Sequence, residues 1–390
     1  MQQSSLPKLS SAIERTPGSA IRAIYAEAST IPGCIRLEAG QPNFPTPAHV
    51  CAAAERAIEE GWHGYTAMQG LPSLRERLAG KLARVNGIQT DTDRVIVGNG
   101  GAGVVGAAIF CICDQGDEVL VPDPHWPNYR TMVALAHGQE VFYDCPAELG
   151  YQPDLNRLES LITPRTRVLV VNSPNNPTGA VYGPEVLRAM ADIAARHGLW
   201  IVSDECYDQI VLEGTAVAPT MAGHADPERT LNVFTFSKSY AMTGWRVGYG
   251  TGPQRLIQAM AKAVEATTSC VSTVGQKAAE AALDGPQECI GEMVSAYRRR
   301  RDLVADLLRE SELLRAVPAG AFYAMIDIAP SGMDSRSFCM RLLREAKVAV
   351  APGGGFGAGG EGAVRVSLAS SDEDLVEGVG RLAELVATAR

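Results

Sequence analysis

No stretch of this chain is long and apolar enough to cross a bilayer, so no membrane-spanning helix is expected. No basic run forms a stripe that could track phosphates, and the formal net charge is -9, so a nucleic-acid partner is not expected either. The one short cluster, Arg298-Arg299-Arg300-Arg301, falls in a helical pattern and reads as a solvated helix face or a hinge. The nine cysteines include no Cys-x-x-Cys pair, and no metal is expected. Cys111 and Cys113 lie in an apolar run and read as small core residues. The opening segment Met1–Lys8 lacks a charged head followed by an apolar core, so no secretory signal is expected. With an odd cysteine count, this fits a reducing cytoplasm. There is no internal repeat and no low-complexity tail.

What is present is the composition of a packed globular protein. Hydrophobic residues make up 46% and charged residues 20% of the 390 positions. Disorder is therefore not expected, and the length fits two or three domains of ~150 residues. Short runs rich in Val and Ile alternate with amphipathic stretches such as Pro184–His197. The strand candidates are Arg94–Gly98, Glu118–Pro122, Glu140–Tyr143, Arg167–Asn172, Trp200–Asp204, Thr230–Ser237 and Trp245–Gly250. Strands apolar on both faces imply a mostly parallel α/β sheet covered by helices. Ligands in such sheets bind beyond the carboxyl ends of the strands. After about Asp284 the pattern changes. A long helical stretch, Glu288–Glu310, leads to strand candidates Ala321–Ile328 and Ala363–Leu368, the mark of a smaller α+β unit. The glycine-rich segment 352–360 between structured stretches reads as a loop.

The segment Thr235-Phe-Ser-Lys238-Ser-Tyr-Ala-Met-Thr-Gly244-Trp-Arg246-Val-Gly248 sets a lysine among small hydroxyl, glycine and aromatic residues after an apolar run. A buried lysine shifts its pKa downward, and an unprotonated amine forms a Schiff base with an aldehyde. Arg246, eight positions on, suits a phosphate. An aldehyde and a phosphate together suggest pyridoxal 5′-phosphate. Here the sequence resembles the class I/II aminotransferases, the aspartate-aminotransferase-like enzymes of fold type I, whose signature is Ser-Lys followed by Gly-x-Arg-x-Gly. The resemblance runs from about Leu37 to Ser367. It implies a seven-stranded, mostly parallel sheet in a large domain at 46–284. It also implies a small α+β domain at 285–390, and an N-terminal arm at 1–45 whose segment Ser19–Gln41 packs with that small domain.

Other segments join this reading. Asp204 ends an apolar run, and a carboxylate at a buried strand end needs a partner. Alone, Asp204-x-x-Tyr207 reads as a helix cap and a core tyrosine. The resemblance implies that Asp204 pairs with the pyridine nitrogen, and that Tyr207 and Asn176, in Asn175-Asn176-Pro-Thr-Gly179, bond the ring hydroxyl oxygen. Gly98-Asn-Gly100-Gly101-Ala102-Gly103 joins a strand to a helix, where free N–H groups bind phosphate. It also matches the dinucleotide fingerprint, with Asp123 about 20 residues on. That reading leaves Lys238, Asp204 and the Asn-Pro-Thr-Gly turn without a shared purpose and is set aside. By resemblance, Gly100, Gly101, Ala102, Thr235 and Arg246 form the phosphate cradle. The usual small hydroxyl residue of the loop is missing here, so backbone donors carry more. The flanks of Arg246 argue against an exposed setting. Trp126 matches the aromatic that stacks on the ring, or is a core tryptophan. His125 either shapes the substrate pocket or is a satisfied turn histidine. Tyr65 matches a tyrosine that reaches the cofactor phosphate of a neighbouring subunit, which implies a homodimer with shared sites. Arg365, a charge inside an apolar strand pattern, matches the residue that grips the substrate α-carboxylate, and Gly40 a backbone position closing over it.

The expected activity is transfer of an amino group from an L-amino acid to a 2-oxo acid. It would run through a Schiff base on Lys238 and pyridoxamine phosphate, with Lys238 as proton carrier. The same motifs also suit a lyase or synthase performing β- or γ-elimination or ring closure. A transcription regulator with an aminotransferase-like domain would need a DNA-binding module, for which the chain leaves no room. No residue is assigned to a substrate side-chain carboxylate; Arg22 and His125 are the candidates.

Overall fold

Among the described residues, twelve strands, most of them short and buried, divide between a large sheet with buried clusters on both faces and a second, smaller core. The computed structural model describes residues 7–389 except 15 and 17; of the arm expected over 1–45, residues 1–6, 15 and 17 lie outside the described residues. In chain order the strands are β1 (Ile35–Arg36), β2 (Val95–Asn99), β3 (Glu118–Asp123), β4 (Gln139–Asp144), β5 (Thr166–Asn172), β6 (Trp200–Asp204), β7 (Thr230–Thr235) and β8 (Val247–Thr251), followed by β9 (Tyr323–Asp327), β10 (Val348–Ala349), β11 (Ala351–Pro352) and β12 (Ala363–Ser367).

Seven of them form the central sheet in the order β2-β8-β7-β6-β5-β3-β4. Only β8 runs antiparallel to its neighbours. Apart from the edge strand β4, the parallel strands are largely buried on both faces, and side chains alternate across them. Val119, Val121, Val168 and Val170 face the helices Gly100–Ile112 and Gln254–Thr268. Leu120, Leu169 and Val171 face the helix Pro184–His197 on the other side. The α/β class with a mostly parallel sheet, expected from the apolar runs, and its seven strands, implied by the resemblance, are both borne out.

The second core holds the antiparallel sheet β11-β12-β9 and the long helix Glu288–Leu307. The N-terminal segment is part of it. β1 pairs in parallel with β10, and the Ser367 N–H donates to Leu37 O at 2.8 Å. The helix Ala20–Ala28 packs against β10, β11 and the helix Ser335–Ala346.

Three expectations need correction. The run Thr230–Ser237 is a strand only to Thr235. Thr235 Oγ1 accepts from the Ser237 N–H at 3.2 Å and caps a helical turn, Phe236–Ser239, that carries Lys238. The run from Trp245 becomes strand only at Val247, because Arg246 adopts φ +55° and turns the chain. The four arginines are not a solvated face. Arg298 and Arg301 both donate to Leu212 O, while Arg299 and Arg300 grip Asp372. Arg300 is buried and also reaches Asn43 Oδ1 and Leu368 O. The glycine-rich segment folds into two tight turns docked on the end of β3. There Gly359 N–H donates to Asp123 Oδ2 at 3.0 Å and His125 N–H to Phe356 O at 2.8 Å.

Candidate active site

The carboxyl ends of the parallel strands open onto a cavity of about 720 Å³ between the two cores. At one end, β2 turns into the helix Gly100–Ile112. Gly100 has φ +70°, and a Cβ placed on it would stand 2.5 Å from Arg246 Nη2. A Cβ on Gly248 of β8 would run into the backbone of Gly100 and Gly101. The helix start is thus pressed against β8 by absent side chains. Its first N–H groups, including those of Gly101 and Ala102, have no intrahelical acceptor and form a positive end. Arg246 stands beside them. It donates to Thr243 O at 2.7 Å and to Asn99 O at 3.4 Å, and pairs with no carboxylate among the described residues. It is exposed, contrary to its apolar flanks, because the left-handed turn lifts its side chain to the cavity edge. Thr235 Oγ1 and Ser237 Oγ, 3.0 Å apart, add two hydroxyls to this wall.

Lys238 lies across the cavity floor. Its Nζ donates to Gly40 O at 2.6 Å and stands 5.6 Å from the ring centroids of Tyr207 and Phe322. Asp204, at the end of β6, is buried. Burial raises its pKa; the Tyr129 hydroxyl, donating to Oδ2 at 2.6 Å, opposes that most strongly, followed by Cys206 and Lys238. Tyr207 shares a hydroxyl contact of 2.9 Å with Tyr323, and burial holds its phenol well above the ordinary range. Asn176 lies in the turn after β5. Its N–H donates to Asn172 Oδ1 at 3.0 Å, and its Oδ1 accepts from Arg365 Nη1 at 2.9 Å, which leaves its amide N–H groups toward the cavity.

Arg365 on β12 is 3% exposed. Nη2 donates to Glu38 O at 2.7 Å, and Nε has no partner. Its planar group lies 4.2 Å from the Tyr323 centroid and 4.7 Å from that of Phe356. Burial lowers its pKa, while Tyr323, Tyr207 and Glu38 act the other way. The sequence pattern implies a buried anion beside this charge. Among the described residues no carboxylate bonds it; Glu38 gives its side chain to Arg36 instead. Trp126 lines the same cavity, edge-on to Tyr129 at 5.3 Å and 88°.

A family described as aminotransferase class I and II matches residues 32–382. This chain belongs to the class I and II aminotransferases. It is 43% identical over 358 residues to an aspartate/prephenate aminotransferase of Thermus thermophilus, covering 91% of each chain. It is 40% identical to an aspartate aminotransferase of Rhizobium meliloti, covering 90% of this chain and 88% of the relative. The solved structure of the Thermus thermophilus aspartate aminotransferase with maleate superposes with a TM-score of 0.91 at 41% identity, covering 97% of this chain and all of that one. The aminotransferase is accordingly of fold type I and depends on pyridoxal 5′-phosphate. It moves an amino group between an amino acid and a 2-oxo acid. These relatives are named for transamination, and none for elimination or ring closure. No helix among the described residues is long and apolar enough to cross a membrane.

The residues present fit that cofactor. A glycine-walled cradle with unpaired N–H groups suits its phosphate, and a buried carboxylate suits its ring nitrogen. Of the residues singled out in the aminotransferase sequence, Gly40, Gly101, Ala102, Trp126, Asn176, Asp204, Tyr207, Thr235, Lys238, Arg246 and Arg365 line one cavity, with Gly100 just behind Arg246. Arg22 stands exposed at its rim, on the helix Ala20–Ala28 that Ser19 Oγ caps. Two residues lie elsewhere. Tyr65 is 86% exposed and away from the cavity of its own chain. His125 is buried behind the wall, stacked on Phe142 at 5.0 Å, and burial pushes its pKa down to about 3. It is a neutral packing residue and does not shape the substrate pocket. Sequence reasoning missed Ser237, Tyr129, Tyr323 and Phe356. Ser237 lies inside the lysine segment and Tyr129 three residues after Trp126; the last two reach the cavity only through the fold.

Proposed function

We propose that the aminotransferase holds pyridoxal phosphate with its aldehyde at Lys238 and its ring nitrogen at Asp204. Its phosphate would be held by the Gly101 and Ala102 N–H groups with Thr235, Ser237 and Arg246. Trp126 would cover its ring, and Tyr207 and Asn176 would serve its phenolic oxygen. The convergence of Lys238, Asp204, Asn176 and Arg365 on one cavity carries this reading. The cofactor supplies an aldehyde for the incoming amine and a ring that takes up electrons released at the substrate Cα. Arg365 grips the α-carboxylate with its fork, matching the missing buried anion. With the cofactor bound, Lys238 Nζ would be the group placed to carry the substrate Cα proton as general base and acid. Tyr323 and Phe356 close the apolar wall and keep water off this transfer.

The names of the relatives make aspartate and prephenate the first substrates to test, with Arg22 the rim cation for a second carboxylate. The reading includes a large domain at 46–284, a small domain at 285–390 completed by 1–45, a cytoplasmic homodimer, and Tyr65 serving the neighbouring site. Titrating the yellow holoenzyme with single amino acids, without oxo acid, tests it. Conversion to the pyridoxamine form with one equivalent of oxo acid is expected, and Arg22→Ala should weaken aspartate as donor without weakening alanine. Binding without conversion would overturn transamination at this site. An unchanged donor profile would remove Arg22 from substrate selection.

A further inference from the structure

Asp204 is a buried charge of the cavity, and its partners come from three elements. Tyr129 approaches from the helix Asn128–Leu135, Cys206 from the loop after β6, and Lys238 from the turn after β7. Of these, Tyr129 makes the shortest contact, 2.6 Å from its hydroxyl to Oδ2. The Cys206 N–H reaches Oδ1 at 3.2 Å. Tyr129 has no solvent exposure, and its phenol makes no other hydrogen bond among the described residues. Burial and the neighbouring carboxylate push its own ionisation well above the ordinary range, so it stays a donor. A protonated phenol that donates to a carboxylate favours the ionised form of that acid and fixes which oxygen is taken. Trp126 stands three residues before Tyr129 in the same turn and packs edge-on against it. One short segment thereby sets both the aromatic wall and the carboxylate beneath it.

We infer that Tyr129 is a positioning residue for the reaction: its hydroxyl occupies Asp204 Oδ2 and holds the carboxylate ionised and oriented for the cofactor ring nitrogen. This rests on the pairing of Asp204 with that ring. Removing the hydroxyl in Tyr129→Phe leaves Oδ2 buried without a donor, so the carboxylate pKa rises. Two further variants keep the test clean. Tyr143→Phe deletes another fully buried tyrosine hydroxyl, bonded to Val170 O at 2.9 Å, which does not touch Asp204. Asp204→Asn keeps an acceptor oxygen but removes the ionisable charge that the hydroxyl serves.

The measurements are the dissociation constant of pyridoxal phosphate, the absorbance of the bound cofactor against pH, and kcat and KM against pH. Tyr129→Phe should weaken cofactor binding by about tenfold or more, the scale of a hydrogen bond to a charged group. It should lower kcat while leaving KM for the amino acid unchanged, and move the acid limb of kcat to higher pH. Tyr143→Phe should move none of these. In the Asp204→Asn background, adding Tyr129→Phe should have no further effect on cofactor binding. Equal behaviour of Tyr129→Phe and Tyr143→Phe, with Asp204→Asn alone altering the spectrum, would overturn the inference and leave the Asp204 pairing standing. An unaltered spectrum in Asp204→Asn would overturn the pairing itself.

Discussion

A guanidinium removed from water with no carboxylate at hand is costly, and Arg365 is in that condition with its Nε unbonded. In the proposed reading, the substrate α-carboxylate would offset that cost. Arg365→Lys keeps the charge but loses the planar fork. It should raise KM for the amino donor by about ten- to a hundredfold, the scale of a charge-assisted bond. The resting cofactor absorbance should not change, because Arg365 is on the substrate side; an unaltered KM would refute the assignment. Glu205, next in sequence to Asp204, illustrates a different use of burial. Ser203, Thr220, Met221 N–H and Asn232 all donate to its Oε1. Burial nonetheless raises its pKa from 4.5 to about 7. A raised acid favours the fold while protonated, so its contribution is full below about pH 4.5 and is lost as pH rises through about 7. Glu205→Gln retains an oxygen for the donors and cannot ionise. It should match the parent enzyme at pH 4 and exceed it at pH 8 by up to about 3 kcal/mol in unfolding free energy. Equal stability at pH 8 would show that Glu205 ionises at no cost.

At the scale of elements, the phosphate cradle depends on how closely the helix Gly100–Ile112 approaches β8. The atoms that a Cβ on Gly248 would meet are backbone, so no side chain can yield. Gly248→Ala should cost about 1–3 kcal/mol of stability, as overpacking does, and should weaken cofactor binding together with it. A variant with full cofactor affinity and an unshifted melting temperature would mean that the helix start can slide. This approach also shows what local sequence can convey. Val-Ile-Val before Gly98, and a glycine string before an apolar helix, state strand, turn and helix by composition alone. That Gly248, far along the chain, serves the same turn is a property of sheet order, on which local pattern is silent. The same limit hid Tyr323 and Phe356, which enter the cavity from strands and turns of the second core. The two-residue strands β1, β10 and β11 are too short to display a period of two. The end of β7 was misread because Phe236 continues the apolar pattern, while the Thr235 side chain ends the strand by capping the next turn. The exposure of Arg246 was hidden because its φ of +55° leaves no mark on its apolar neighbours.

At the scale of the molecule, two arginines of the long helix reach the loop after β6, and two hold the last helix within the same core. Arg298 and Arg301 hold Leu212 O in the loop after β6, and Arg299 and Arg300 hold Asp372 at the start of the last helix. The cavity wall is open where Arg246 meets solvent. On the same chain, Tyr65 at 86%, Ile58 at 55% and Trp62 at 37% exposure leave aromatic and aliphatic surface uncovered. The proposed homodimer joins these facts: a two-fold pair covers the patch of each chain and lets Tyr65 complete the phosphate cradle of the other. The two defects should then complement each other. Lys238→Ala abolishes its own site, and Tyr65→Ala weakens the site across the interface. In a hybrid of the two chains, one site carries both defects and the other carries neither. Co-refolded mixtures should therefore exceed the mean activity of the two parents and bind pyridoxal phosphate tightly at half the hybrid sites. Activity equal to that mean, from a mixture shown by mass to contain hybrids, would confine Tyr65 to its own chain and leave each cavity complete without a partner.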